Sequence, residues 1–154
     1  VGYHVWVGTA TLGTFVLSPA GSRGVPNALV LVDPRSERAD TLARDIGRAL
    51  VKVPGRDAFT FLQIGRDTSW ISEVDVRTQA IRRVAPAAPG ADYHLWTPGG
   101  QLLAAAGTQL LVRVGERWDV LADFAPLAVK GLSRLAISPT GDRIAFVAAD
   151  AATP

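Results

Sequence analysis

The sequence has no cysteine and no methionine in its 154 residues, only two histidines and two lysines, and 7% aromatic residues. Without cysteine there is no disulfide staple, no thiol nucleophile and no thiolate metal site, so stability rests on the packed core. Long apolar runs are missing too. Those present, such as Ala28 to Val32, fall far short of the roughly 18 residues that span a bilayer, and no charged-then-apolar leader opens the chain. The expectation is a soluble chain without a membrane partner or a signal peptide, whose compartment stays open because an N-terminus lacking Met does not reveal it. Charge of one sign is nearly balanced, 16 basic against 14 acidic residues. The arginines are spread along the chain rather than clustered, which argues against a nucleic-acid partner. Gly-x-Ser-x-Gly, Gly-x-x-x-x-Gly-Lys, Gly-x-Gly-x-x-Gly and His-Glu-x-x-His are all absent, which sets aside serine-hydrolase, nucleotide and dinucleotide chemistry. With 48% apolar and 19% charged residues, what is there suffices for a packed domain.

Internal repetition organises that material. Leu135 to Val147 reads as a strand, a Pro-x-Gly turn and a second alternating strand. Tyr93 to Leu103 and Leu50 to Phe61 keep the Pro-Gly turn, and Tyr3 to Phe15 keeps the pattern with Gly8 in the turn. Counted back from each turn, His4, Leu50, His94 and Leu135 are equivalent, with steps of 46, 44 and 41 residues. Between these hairpins lie two further β-rich runs per repeat: 28–33 and 39–46, then 70–76 and 80–84, then 109–114 and 118–124. Leu42, Ile46 and Leu50 also permit a helix over 40–50, but the repeat register outweighs it. Each repeat is therefore a four-stranded antiparallel meander of about 40–50 residues, the unit of a β-propeller blade. The fold class is all-β: one partial propeller domain over residues 1–154, with blades at about 1–47, 48–90 and 91–131 and a half blade at 132–150.

Ser138-Pro-Thr-Gly-Asp-Arg-Ile-Ala-Phe146 resembles the Ser-Pro-Asp-Gly hairpin of TolB-type, WD-like propeller repeats, with Thr140 where Asp is usual. The resemblance runs along nearly the whole chain and implies the fold. It implies little about function, because such blades serve binding scaffolds and enzymes alike. Three and a half blades fall short of the roughly four to eight in a closed ring. An open stack exposes apolar blade faces, so the expected partner is a second copy, a homodimer that completes the ring. The alternative is that the sequence is the C-terminal half of a longer chain.

Both histidines and both tyrosines fall in one motif, Tyr3-His4-Val5-Trp6 and Tyr93-His94-Leu95-Trp96, at equivalent repeat positions. The motif starts the innermost strand, near the mouth of a propeller channel, where pockets form. Two chains would bring four imidazoles from His4 and His94 around one axis, and zinc or another divalent transition metal is the expected cofactor. Trp6 and Trp96 are expected in the packed layer. Asp92 is the candidate base or orienting group, Tyr3 and Tyr93 hydrogen-bond donors to an oxyanion, and Arg48 and Arg134 anion-holding groups, with Lys52 and Ser133 at the same strand starts. Asp33, Asp57, Asp75 and Asp142 recur near turns and read as turn caps.

Two functions are compatible with this. One is a metal-dependent hydrolase of small esters, lactones or phosphotriesters, acting on a small-molecule substrate with a metal-activated water. Paraoxonase-like propeller hydrolases make this chemistry plausible by analogy, but their calcium-binding carboxylate and amide pattern is missing. The other is a non-catalytic TolB-like module that binds a protein or peptide.

Overall fold

In the computed structural model the described residues are 3–18 and 25–149, and the expected blade limits at 1 and 150 lie outside them. The first repeat forms β1 (Tyr3–Val7), β2 (Thr11–Val16), β3 (Ala28–Asp33) and β4 (Arg38–Arg44). The second forms β5 (Ile46–Lys52), β6 (Ala58–Gln63), β7 (Trp70–Asp75) and β8 (Ile81–Pro86). The third forms β9 (Tyr93–Trp96), β10 (Leu102–Ala106), β11 (Gln109–Val114) and β12 (Arg117–Asp123), and the fourth the hairpin β13 (Lys130–Ile137) and β14 (Ile144–Ala149). Each full repeat is a four-stranded antiparallel meander in sequential order, and the hairpin is a two-stranded sheet. Residues 40–50, open to a helical reading, are strand on either side of Asp45, whose φ of 54° breaks one blade from the next. The second blade accordingly begins at Ile46, two residues ahead of the expected start.

Register confirms that the repeats are equivalent residue for residue. His4 pairs with Thr14, Leu50 with Phe61 and His94 with Ala104. A β-bulge interrupts the pairing of third and fourth strands at Leu29/Val30, Ile71/Ser72 and Leu110/Leu111, one register position in all three blades. A bulge adds a residue and sharpens strand twist, so its recurrence marks a shared blade geometry. The hairpin turns carry glycine where the backbone is left-handed, as at Gly55 (φ 69°) and Gly141 (φ 78°), a conformation that costs other residues energy.

The chain divides into two compact units, residues 1–87 and 88–154. In the first, two blades stack face to face. Val5, Val7, Phe15, Leu29 and Leu31 of the first blade form one buried cluster with Ile46, Phe59, Phe61 and Val74 of the second. The fit is tight at Gly13, where a Cβ would stand 2.9 Å from Phe59 Cζ and 3.0 Å from Val5 Cγ1. A glycine on β2 thus makes the recess that the Phe59 ring fills. In the second unit a smaller cluster joins Ala88, Ala104 and Leu111, and Phe124 lies 5.0 Å, centroid to centroid, from Phe146 of the hairpin. Among the described residues no helix is long and apolar enough to cross a membrane.

Candidate functional site

The two halves of the repeated Tyr-His-x-Trp motif sit at equivalent register but in opposite environments. In β1 the residues alternate: Val5 and Val7 point into the core, while His4 and Trp6 are exposed. In β9 His94 is only 3% exposed and Trp96 is partly buried. Burial pushes the His94 imidazole down to a pKa of about 4, because a cation there would lose its hydration. It is neutral at physiological pH and engaged by another group of the fold. Trp6 departs from its expected place in the packed layer, being 50% exposed.

The reason lies in how a blade presents two faces. The Val5 face of the first blade packs on the second blade. The opposite face of that sheet is built from Trp6, Leu12 and Val32 in one cross-strand row and His4, Thr14 and Val30 in the next. In the second blade the same rows are Lys52, Phe59 and Val74, then Leu50, Phe61 and Ser72. Phe59, Phe61 and Val74 are fully buried there against the first blade. On the first blade Trp6 and Val16 (42%) stand open instead. Thr14 is the buried exception, its Oγ1 donating to the Val30 carbonyl at 3.0 Å.

Of the other candidate residues, the fold brings Tyr3 and Arg48 together, with the guanidinium carbon 6.0 Å from the ring centroid. Tyr3 also meets Phe15 edge to face at 5.9 Å. Arg48 and Asp92 are exposed and Tyr93 is partly buried. Lys52 is exposed as well. Among the described residues no three or more His, Asp or Glu side chains gather in a way that could hold a metal ion.

The turn-capping reading holds for three of the four aspartates. Asp33 accepts from the Arg35 amide and Ser36 hydroxyl, Asp75 from the Thr78 amide and hydroxyl, and Asp142 from the Ser138 and Thr140 hydroxyls. These bonds favour the ionised form and hold all three carboxyls below the usual range.

Two features escaped the sequence reading. Glu73, 2% exposed, is gripped by two arginines: Arg56 at 2.9 and 3.1 Å and Arg82 at 2.7 and 3.0 Å. The signal was an acid in mid-strand, between Ser72 and Val74 and opposite the Arg82-Arg83 pair. An open cleft of about 240 Å³ lies in the first unit over Leu31 and Val76, rimmed by Asp33, Arg38, Asp40 and Gln79. Asp40 is already bonded to Arg38 and Gln79, which hold its carboxyl low.

No protein-family model matches the sequence, and no curated protein does. Solved structures do match. TolB from Acinetobacter baumannii is similar over 94% of this chain, with a TM-score of 0.66 at 17% identity. The β-propeller domain of the Trilobed protease from Pyrococcus furiosus, described as having an open velcro topology, is similar over 92%, with a TM-score of 0.54 at 12% identity. The chain spans 36% of the TolB chain and 47% of the protease domain chain.

Proposed function

We propose that this all-β partial propeller, TolB-like in fold, is a non-catalytic module that binds a protein or peptide partner. One observation carries the reading: the Trp6 face of the first blade is open, while the register-equivalent face of the second blade is sealed by a neighbouring sheet. A half-exposed tryptophan beside Leu12, Val16, Val30 and Val32 is an apolar sheet surface of the kind that marks interaction sites. Likeness in fold to TolB and to a protease's propeller domain agrees with a scaffold role and adds no chemistry of its own.

The test is a photo-reactive amino acid placed at position 6, with a control at the exposed Arg66, irradiated in the expressing cell. Crosslinks to polypeptide at position 6 well above the control are expected. Equal yields at both positions would defeat the reading.

The competing proposal is a metal-dependent hydrolase, with zinc or a similar divalent metal among His4 and His94 imidazoles of two chains. Asp92, Tyr3, Tyr93 and Arg48 would then hold or move protons and charge around the substrate. The neutral state that burial imposes on His94 suits a ligand nitrogen. Its supports are fewer, because His94 is enclosed and engaged by the fold whereas His4 faces solvent. Metal bound in stoichiometric amount, and lost together with esterase turnover in His4→Ala and His94→Ala, would favour the hydrolase.

A further inference from the structure

Cross-strand register puts Leu31 opposite Asp40 in the first blade and Val112 opposite Asp119 in the third, at the row where Glu73 lies opposite Arg82 in the second. Two blades thus keep an apolar residue on the third strand and an acid on the outer one, where it pairs with the arginine two positions earlier: Arg38 with Asp40 at 3.0 Å and Arg117 with Asp119 at 2.9 Å. In the second blade the polarity is exchanged. The acid moves inward and is buried, the outer strand carries an arginine, and Arg56 of the β5–β6 turn closes on the same carboxylate. The blade fold does not demand this, since Leu31 and Val112 serve the row elsewhere, and buried ion clusters replaced by apolar residues often lose no stability. What the exchange creates is a pair of guanidinium groups fixed at the surface.

The bonding leaves that pair with donors to spare. Arg56 reaches Glu73 Oε2 through Nη1 at 3.1 Å and Oε1 through Nη2 at 2.9 Å, while Arg82 reaches Oε1 through Nε at 3.0 Å and Oε2 through Nη2 at 2.7 Å. A carboxylate accepts at about four lone-pair positions, so these contacts saturate it, whereas each guanidinium keeps further N–H groups. Among the described residues no other side chain is bonded to either guanidinium, and the two arginine side chains are 48% and 57% accessible. Asp57, beside Arg56 in the turn, is exposed and bonded to neither. Two guanidiniums on one carboxylate leave a single net positive charge in the cluster.

From this we infer that Arg56 and Arg82, positioned by Glu73, form an oxyanion site of the second blade, and that its ligand is a carboxylate, on an acidic side chain of a polypeptide or on a small free acid. The planar fork of arginine matches carboxylates and phosphates alike. The single net charge favours the monoanion, because a phosphate dianion would meet the charge of Glu73 close behind the arginines. Holding both guanidiniums beforehand lowers the ordering cost of binding. The site lies on a different sheet from Trp6, and the inference goes beyond the protein-binding reading without resting on it.

NMR of the wild-type chain tests it, following arginine side-chain Nε–H signals during titration with sodium acetate against sodium chloride at equal ionic strength. Signals of Arg56 and Arg82 are expected to move and saturate, while those of the exposed Arg66 and Arg77 follow salt alone. Arg56→Gln and Arg82→Gln, each checked as folded by circular dichroism, are expected to weaken acetate binding about tenfold at the remaining arginine. Arg82→Lys keeps the charge without the fork and is expected to weaken it similarly. A hexapeptide of alternating Glu and Gly separates the two sources: binding tighter than acetate, and lost in its Gln counterpart, assigns a polypeptide, and binding no tighter than acetate assigns a small acid. Equal movement at all four arginines would overturn the inference, as would an Arg82→Lys variant that binds like the wild type. Inorganic phosphate that moves Arg56 and Arg82 at lower concentration than acetate would overturn it too. None of these results bears on crosslinking at position 6.

Discussion

The pair of arginines on Glu73 should behave as a unit rather than as two separate ion pairs. The carboxylate is 2% exposed and accepts from Arg56 and Arg82 on both oxygens, whereas the guanidinium groups are half exposed, their side chains 48% and 57% accessible. The charge that would suffer is thus the carboxylate, since either arginine can rehydrate. Removing one arginine leaves Glu73 its other partner, and Arg56→Ala or Arg82→Ala should each cost about 1–2 kcal/mol after discounting for solvent screening. Removing both strands a buried carboxylate, which costs about 3–5 kcal/mol. The double variant should therefore lose more than the sum of the singles, by about 1 kcal/mol. Urea titrations followed by circular dichroism measure all four corners of the cycle. Repeating the cycle in a Glu73→Gln background removes the stranded charge and should abolish the excess. Strict additivity, or an excess that survives Glu73→Gln, would refute the reasoning.

Three further outcomes follow from the packing. His94, with its pKa lowered by burial from 6.5 to about 4, takes no proton in the folded state while the unfolded chain does. Stability should be complete above pH 6.5 and fall by about 3 kcal/mol as pH drops from there to 4, at about 1.4 kcal/mol per unit; urea midpoints across this range should show the slope, and His94→Gln should flatten it. Gly13→Val would drive side-chain atoms into Phe59 and Val5 and should cost about 1–3 kcal/mol by overpacking, readable as a lowered thermal midpoint. Phe59→Ala empties the same contact from the other side and should cost about 3–5 kcal/mol, with Trp6 fluorescence unchanged because Trp6 stands on the opposite face of the first sheet.

The fold was legible because a blade's information is local and written several times. The Pro-Gly turns, the period-two alternation and the steps between His4, Leu50, His94 and Leu135 each specify a hairpin, and errors in one repeat are corrected by the others. The strands 28–33 and 109–114 lie where their Val- and Leu-rich runs placed them. The start of the second blade shifted to Ile46 because a positive φ at Asp45, a residue type that tolerates it, does the work of a glycine turn and leaves little trace in the composition. The site was less legible, for a physical reason that Trp6 and Trp96 make plain. Their strand positions are equivalent and their sequences nearly identical, so alternation assigns both to one face and can say no more. Whether that face meets solvent or a neighbour depends on what stacks against the sheet, and periodicity does not encode it. The same limit hid Glu73: pattern places it inside a buried strand, but only the cross-strand register with Arg82 and the reach of Arg56 from the β5–β6 turn turn an apparent misfit into a satisfied charge. Sequence repeats specify blades. What distinguishes the blades is what stacks on them: Phe59, Phe61 and Val74 are buried on one face of the second blade, whereas Trp6 and Val16 stand open on the corresponding face of the first.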